Sequence, residues 1–308
     1  MTSAVVFAYH NVGVRCLSAL LARGVDVRLV LTHEDSPGEN IWFDSVKNRA
    51  LENRVPTEAP ADPNADDVLE RVRACEPDFL FSFYYRQMLK RPLLASARRG
   101  AYNVHGSMLP KYRGRVPINW AILHGETETG ATLHAMTEKA DAGDIVDQIA
   151  VPILPDDTAR EVLDKVTVAA EMVLHRSVPP LLAGTAKLTP QDPSKASYFG
   201  GRRPEDGVIE WRRPAREVHN LVRAVTRPYP GAFCDTAAGR LTLWRTRVDN
   251  GGVPGAPALT VENGGLVARC RDGSLLTVLD AELDGKRLDG ETLNSKHSGR
   301  LALPEGAE

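Results

Sequence analysis

Asn103 and His105 are a pair of residues whose types and spacing could do chemistry. They stand two apart at the end of an apolar stretch, residues 101–104, that predicts a strand. Because side chains alternate along a strand, both would project from the same face. An amide donor beside an imidazole suits acyl transfer, which needs hydrogen bonds to a developing oxyanion and a group that moves protons. Taken alone, Asn-x-His is also compatible with a strand-end cap beside a hydrogen-bonded core histidine.

Asp141 lies in a polar turn, residues 137–144, between two apolar stretches. A carboxylate at this position could hold the imidazole of His105 in one orientation and raise its pKa, which would favour the protonated form. The alternative is a turn aspartate that bonds to its own backbone. Spacing alone leaves both interpretations open.

The other candidate groups receive structural interpretations. The first strand is not followed by G-x-G-x-x-G, and the sequence has no Walker loop, no H-E-x-x-H and no Cys/His cluster, so neither a nicotinamide dinucleotide nor a metal is expected. Arg202 and Arg203 either face a diphosphate or are solvated charges. The remaining histidines are interpreted as structural or surface groups: His10, His33, His124, His134, His175, His219 and His297.

Alternating strand and helix patterns predict the fold class, an α/β Rossmann-like domain with a parallel, doubly wound sheet. The predicted elements are strands at 4–9, 25–32, 79–83, 101–104, 131–136 and 145–153, and helices at 15–23, 66–75, 117–124 and 158–182. A loop at 10–13 is expected to follow the first strand and to border the ligand crevice.

The domains are predicted as a catalytic domain at 1–190, a linker at 191–207 and a small OB-like β-barrel at 208–308. The stretch 184–207 is rich in Gly, Pro, Lys and Ser, as surface linkers are. The second domain is predicted from a helix at 215–225, strands at 241–248, 259–261, 266–271 and 275–282, and turn signals at Asn250-Gly251, Asn263-Gly264 and Asp272-Gly273. Residues 284–308 predict a partly mobile tail.

Composition excludes several classes of function. The 308 residues are 43% hydrophobic and 25% charged, and the formal net charge of −2 argues against a nucleic-acid partner. The four cysteines are widely spaced without a C-x-x-C pair, which favours reduced thiols. No apolar run approaches the roughly 18 residues that span a bilayer, and the start lacks a signal-peptide pattern. We therefore expect a cytoplasmic protein without membrane insertion, either a monomer or a homodimer.

The strings NVHGSMLPKYRG (103–114) and TLHAMTEKADAGDIV (132–146) together resemble the folate-dependent formyltransferase superfamily, whose shared pattern is Asn-x-His, Ser-x-Leu-Pro and a distant Asp. This group includes methionyl-tRNA, glycinamide ribonucleotide and sugar N-formyltransferases. Strings at 5–10, 32–39, 81–86, 125–130 and 227–233 are similar in particular to the formyltransferase half of the bifunctional polymyxin-resistance enzyme, which formylates UDP-4-amino-4-deoxy-L-arabinose. The resemblance implies a Rossmann-like domain followed by an OB-like barrel.

The resemblance also implies roles for individual residues. His105 would be the proton donor and acceptor, Asn103 the oxyanion stabiliser, and Asp141 the group that raises the pKa of His105. The co-substrate would be 10-formyltetrahydrofolate, with no metal, and the acceptor a nucleotide-linked amino sugar. The folate would lie against the main chain at Gln87, Met88 and Leu89, beside Arg115, and along the segment Thr137, Glu138, Lys139 and Ala140. Gln87 and Met88 depart from the residues usual in the nearest relatives, a change that main-chain contacts tolerate.

The polymyxin-resistance enzyme has a second, decarboxylating half that the sequence lacks. Either a separate decarboxylase protein is expected, or a formyltransferase for another dTDP- or GDP-linked amino sugar. A methionyl-tRNA formyltransferase is disfavoured because residues 33–45 are net acidic, whereas phosphate-backbone binding relies on Lys and Arg. Hydrolysis of formyltetrahydrofolate is disfavoured because the related deformylases carry an added N-terminal domain, whereas the first strand is predicted here from residue 4. A non-enzymatic folate or nucleotide-sugar binding module is disfavoured by the presence of Asn103, His105 and Asp141.

Overall fold

A computed structural model describes residues 2–35, 38, 40–249 and 251–305. The residues used in the sequence analysis that lie outside the described part are Met1, Ser36, Pro37, Glu39, Asn250 and residues 306–308. Two compact units are present. The first consists of Met1–Pro117, Glu128–Pro152 and Leu163–Gly200, and the second of Ile118–Thr127, Ile153–Val162 and Gly201–Glu308. The domain boundaries at 190 and 208 stay predictions from the sequence.

The first part of the chain alternates strands and helices. Its elements are β1 (Ser3–Ala8), α1 (His10–Ala22), β2 (Asp26–Leu31), α2 (Val46–Glu52), β3 (Thr57–Glu58), α3 (Asp66–Ala74), β4 (Phe79–Phe83), α4 (Arg91–Leu94), β5 (Ala101–His105), β6 (Arg113–Gly114), α5 (Pro117–Leu123), β7 (Glu128–Ala135), β8 (Ile145–Pro152), α6 (Ala159–Ala183) and β9 (Tyr198–Phe199). The main sheet has the order β3-β2-β1-β4-β5-β7-β8, and β6 pairs with β9 in a separate two-stranded sheet.

Burial explains the central strands. Every residue of β1 and β4 is buried, as expected for apolar strands covered by helices on both faces. In α3, Val68, Leu69 and Val72 are buried on one side of the helix and pack in a core that includes Phe7 of β1 and Leu80 of β4. These contacts bury one side of α3 against β1 and β4.

The sheet is parallel from β3 to β5 and antiparallel beyond it. β1 pairs in parallel with β2 and β4, and β4 in parallel with β5, whereas β7 pairs antiparallel with β5 and β8. The connection between β7 and β8 is too short for the crossover that a parallel pair requires, so these strands form a hairpin. The predicted Rossmann-like sheet is confirmed, with this antiparallel edge added.

The second part of the chain is mainly an antiparallel sheet. Its elements are α7 (Ala215–Val225), β10 (Ala232–Thr236), β11 (Gly239–Asp249), β12 (Ala258–Glu262), β13 (Gly265–Arg269), β14 (Leu275–Leu283), β15 (Lys286–Arg287), α8 (Gly290–His297) and β16 (Arg300–Ala302). The order is β10-β11-β14-β13-β12-β16, with β15 on β14, and the sheet curls into a half-barrel that agrees with the predicted OB-like class. Asn263 and Gly264 both have positive φ, as the two-residue hairpin predicted there requires.

One sequence expectation is wrong. The loop expected at 10–13 is the first turn of α1, because the N–H of Gly13 donates to the carbonyl of Tyr9 at 3.1 Å and starts the helix early. The linker at 191–207 and the mobility of the tail stay predictions. The stretch 184–207 contains β9 and its pairing with β6. The region of the expected tail contains α8, capped by Asp289, and β16, where Leu301 is buried. Among the described residues, no helix is long and apolar enough to cross a membrane.

Candidate active site

β5 places Asn103 and His105 toward its carboxyl end, at the end of the sheet where the parallel strands finish. In the register of the sheet, Asn103 lies opposite Ser82 of β4 and opposite His134 of β7. Asn103 is half-buried, and His105 is buried with 6% of its surface exposed. The carboxyl ends of parallel strands are where open α/β sheets bind ligands, so both side chains stand where a ligand site is expected.

Asp141 reaches the same place from the turn between β7 and β8. Its φ of 53° is in the left-handed region. Its Oδ1 atom lies 3.5 Å from each of Nδ1 of His105, Nε2 of His134 and Nδ2 of Asn103. Its Oδ2 atom accepts a hydrogen bond from the backbone N–H of Gly114 at 2.8 Å. The structure therefore brings the three sequence-predicted catalytic residues together around one carboxylate.

His134 belongs to this cluster and was missed by sequence reasoning, which interpreted it as a structural or surface group. Its exposed fraction is only 2%, and its Nδ1 lies 2.8 Å from the carbonyl of Ala135. Because a carbonyl only accepts, Nδ1 carries the proton there, and Nε2 of a neutral ring is left to accept from Nδ2 of Asn103 at 3.1 Å. The sequence did contain a signal for His134, which is a histidine in an otherwise apolar strand, seven residues before Asp141.

The tautomer of His105 follows from the same reasoning. Its Nε2 lies 2.7 Å from the carbonyl oxygen of Tyr112, so this nitrogen donates. In the neutral ring Nδ1 then carries no proton, and this is the nitrogen that faces Asp141. Nδ1 is therefore the nitrogen that takes up a proton, and the imidazolium so formed would stand beside a carboxylate.

Burial and charge act on His105 in opposite directions. Burial lowers the pKa of His105, and Asp141 and the Tyr112 carbonyl raise it by a smaller amount, so the pKa stays below its ordinary value. The effect expected of Asp141 on His105 is thus present in direction, but burial outweighs it and the neutral ring is favoured instead of the protonated one. Burial acts to raise the pKa of Asp141, but His105, His134 and the Gly114 N–H outweigh it and hold this pKa well below the ordinary range.

The chain between β5 and β6 is held by buried polar contacts. The hydroxyl of Thr132 donates to the carbonyl of Ser107 at 2.6 Å and accepts from the N–H of Leu109 at 3.2 Å. The side-chain amide of Gln148 donates to Thr132 Oγ1 and to the carbonyl of Leu109, at 2.8 Å and 2.9 Å. These bonds fix the path that leads from His105 to Tyr112 and Gly114.

The predicted folate-binding residues occupy two places. Gln87, Met88 and Leu89 follow β4, whose last residue pairs with Val104 of β5. Leu89 is buried, Met88 is 55% exposed, and the Met88 carbonyl accepts from Asn64 at 3.0 Å. The side-chain amide of Gln87 donates to the carbonyl of Ala61 at 3.0 Å.

The other predicted folate contacts lie next to Asp141 and β6. Thr137, Glu138 and Lys139 are exposed and Ala140 is half-buried, in the turn that carries Asp141. The Nζ atom of Lys139 lies 5.1 Å from the ring centroid of Tyr198. Arg115 is exposed, and its N–H donates to the carbonyl of Phe199 at 2.9 Å. Contacts of these residues with a folate stay predictions.

The structure also describes the surroundings of Arg202 and the grouping of the residue types that bind metals. Arg202 is half-buried, with its guanidinium carbon 4.9 Å from the ring centroid of Trp120 and one N–H donated to the carbonyl of Asp206, so it is not a freely solvated charge. Within the described part of the chain, no group of three or more His, Cys, Asp or Glu side chains could hold a metal ion.

The fold and the site together define an α/β enzyme of the acyl-transfer type, with an amide, an imidazole and a carboxylate at the open end of a Rossmann-like sheet. The formyl transferase family model matches residues 8–178, and the model of the formyl transferase C-terminal domain matches residues 202–298. The chain belongs to the formyl transferase family. The enzyme class expected from the sequence is thereby confirmed.

Solved structures with the same fold include three informative cases. The N-formyltransferase of Helicobacter canadensis, in complex with folinic acid and dTDP-3-aminofucose, has a TM-score of 0.74 at 20% identity over 94% of this chain and 100% of that one. WlaRD, a sugar 3N-formyl transferase in the presence of dTDP and 5-N-formyl-THF, has a TM-score of 0.70 at 21% identity over 94% and 98%. HypX from Aquifex aeolicus, in complex with tetrahydrofolic acid, has a TM-score of 0.64 at 18% identity over 95% of this chain but 47% of that one.

Proposed function

We propose that this enzyme transfers the formyl group of 10-formyltetrahydrofolate to the amino group of a nucleotide-linked amino sugar, which is the 4-amino group if the acceptor is UDP-4-amino-4-deoxy-L-arabinose. The observation that carries the proposal is the convergence of Asn103, His105 and His134 on one oxygen of Asp141 at the open end of β5. The family supplies formyl transfer as the reaction. The folate derivatives and the dTDP-linked sugar in the structures of similar fold support a folate donor and a nucleotide-sugar acceptor.

Two acceptors are candidates. The first is UDP-4-amino-4-deoxy-L-arabinose, supported by the strings similar to the polymyxin-resistance enzyme, and its use would serve lipid A modification and polymyxin resistance. The second is a dTDP-linked amino sugar, supported by the acceptor in the Helicobacter canadensis structure. The reaction would take place in the cytoplasm, in keeping with the four free cysteines.

The proton transfers that the reaction requires suggest the role of His105. The neutral amine attacks the formyl carbon, and the carbonyl electron pair moves to oxygen, giving a tetrahedral intermediate with a positive nitrogen. The unprotonated Nδ1 of His105 takes a proton from that nitrogen and delivers it to N10 of the folate as the carbon–nitrogen bond to the folate breaks. The products are a formamide and tetrahydrofolate, and the imidazole returns to its neutral form.

Asp141 stabilises the imidazolium that exists between these two proton transfers. Its oxygen stands 3.5 Å from Nδ1 of His105, and its low pKa keeps it ionised throughout the physiological range. Asn103 supplies the amide N–H that stabilises the oxyanion. Its amide orientation is set by His134 and Asp141, which both accept from Nδ2 and would repel the amide oxygen.

The folate would lie over the turn from Thr137 to Asp141 and against the main chain that follows β4. Lys139, in the aspartate-bearing turn, and Arg115, next to Gly114, are exposed cations that suit the carboxylates of the folate glutamate. Because the main chain makes the contacts after β4, the side chains of Gln87 and Met88 can vary without loss of binding.

The test is release of tetrahydrofolate from 10-formyltetrahydrofolate in two parallel reactions, one with UDP-4-amino-4-deoxy-L-arabinose and one with dTDP-3-aminofucose. His105→Gln is the control for both. Turnover that the variant abolishes supports the proposal, and the reaction that turns over shows which of the two nucleotide sugars is accepted. If neither sugar is formylated while the protein still binds folinic acid, the proposed acceptor class is wrong.

A further inference from the structure

Gln191 lies in the stretch that the sequence presents as a surface linker, yet only 9% of its surface is exposed. Its side-chain nitrogen donates to the carbonyl of Asp141 at 2.9 Å and to the carbonyl of Gly143 at 2.6 Å. Its side-chain oxygen accepts from Nε and Nη2 of Arg113 at 3.1 Å and 2.7 Å. Every polar atom of this amide is therefore used, and all its partners lie far away along the chain.

The turn that Gln191 contacts needs external support. A left-handed φ such as the 53° of Asp141 is unfavourable for a non-glycine residue, and such conformations persist where neighbouring groups impose them. Gly143 stands where a Cβ atom would lie 1.9 Å from the carbonyl oxygen of Ala135, so the turn is also tightly closed. By holding the carbonyls of Asp141 and Gly143 together, Gln191 fixes this conformation.

Arg113 connects Gln191 to the other side of the same carboxylate. Its guanidinium group is buried, and it donates to neutral oxygens, those of Gln191 and of the Tyr198 hydroxyl, the latter at 2.6 Å. The next residue along β6 is Gly114, whose N–H holds Oδ2 of Asp141. Gln191 thus ties together the turn that carries Asp141 and the strand that supplies its backbone donor.

We propose that Gln191 is a positioning residue for formyl transfer, which fixes the left-handed turn so that Oδ1 of Asp141 faces Nδ1 of His105. The proposal rests on the proposed function of this site. It makes the stretch after α6 part of the active site instead of a connection between domains. The residue acts through Asp141 and touches neither substrate.

The consequence for His105 can be worked out from its neighbours. The charged and titratable groups that act on His105 are Asp141 and His134, from β7 and the turn after it, and Arg113 from β6. Burial lowers the pKa of His105, Asp141 raises it, and His134 and Arg113 lower it. If Asp141 moves away, its raising effect weakens while the other effects remain, so the pKa of His105 falls further.

The experiment compares Gln191→Ala and Gln191→Glu with the native enzyme, and with Lys195→Ala as a matched exposed control from the same segment. Gln191→Glu keeps an acceptor for Arg113 but removes the donors to the two carbonyls. We expect both Gln191 variants to lose about ten- to hundredfold in kcat, and Lys195→Ala to stay within twofold. Thermal melting measures whether each variant is folded.

A second readout does not need the substrate. The protein is labelled with 13C at histidine Cε1, and the His105 signal, assigned by its loss in His105→Gln, is titrated by NMR. A positioning role predicts that the signal titrates at lower pH in Gln191→Ala, which adds no charge, than in the native enzyme. Native titration of His105 in folded Gln191→Ala, or native kcat in Gln191→Glu, would overturn the proposal. Absence of turnover in the native enzyme would instead count against the proposed function, and the NMR titration would still test Gln191.

Discussion

Asp141→Asn is the change that tests the charge relation at the centre of this site. The substitution keeps the size of the side chain and an oxygen for the N–H of Gly114, but it removes the negative charge 3.5 Å from Nδ1 of His105. At that distance and an effective dielectric constant of about 20, two unit charges interact by about 5 kcal/mol. Because the carboxylate is 13% exposed, part of this is screened. We therefore expect kcat/KM to fall about a hundred- to thousandfold.

The pH profile of Asp141→Asn distinguishes this reasoning from simple damage to the site. The acid limb of kcat/KM includes the protonation of His105, which must be neutral to take the proton of the amine. Removing Asp141 removes the effect that raises the pKa of His105, so this limb should move to lower pH while the plateau falls. Asp144→Asn, the same change three residues further along the turn, is the control and should keep native activity. Activity of Asp141→Asn within threefold of native, or a limb that moves to higher pH, would refute the reasoning.

Four further outcomes are expected. Asn103→Ala should lower kcat about a hundred- to thousandfold with little change in folinic acid affinity, because it removes one oxyanion donor. His134→Leu should lower kcat about tenfold, and His134→Gln, which restores an acceptor for Asn103, should recover most of it; equal losses would contradict this. Gly114→Ala should lower the melting temperature and abolish activity, because its Cβ would lie 2.3 Å from the carbonyl oxygen of Phe199 at a φ of 98°. The free energy of unfolding in urea, measured from pH 7 down to pH 2, should fall below about pH 4, and it should fall more steeply for the native enzyme than for Asp141→Asn. A lowered carboxyl pKa stabilises the fold above the unfolded-state pKa, and this stabilisation is lost as the pH falls.

The sequence predicted the core of the site because its signals are local. Asn103 and His105 are two residues apart on a strand, and the turn between two apolar stretches identified Asp141 as a candidate. His134 escaped prediction because a single histidine in an apolar strand looks like a core residue. Its pairing with Asn103 depends on the antiparallel register of β5 and β7, which composition and periodicity do not fix.

Gln191 escaped prediction for a different reason. Its partners lie 48 to 78 residues away along the chain, and its neighbours in sequence are turn-forming residues. A segment without periodicity resembles a linker even where one of its side chains is buried and fully hydrogen-bonded. The same holds for β6 and β9, which have two residues each and pair across 85 positions. By contrast β4 and α7 were predicted to the residue, because continuous burial and helical periodicity mark their limits.

The neutral state of His105 and the orientation of Asn103 together explain how one carboxylate oxygen can serve both steps of the proposed reaction. At rest, Oδ1 of Asp141 accepts from Nδ2 of Asn103 at 3.5 Å, a long bond compared with the usual 2.7–3.2 Å. A weak bond costs little to exchange, so that N–H can turn to the formyl oxygen as charge develops there. When Nδ1 of His105 then takes up the proton of the amine, it becomes a charged donor to the oxygen that Asn103 has released. Oxyanion stabilisation and proton uptake would therefore be coupled through Asp141, and substitution of either Asn103 or His105 should weaken the contribution of the other, a coupling that a double-mutant cycle measures.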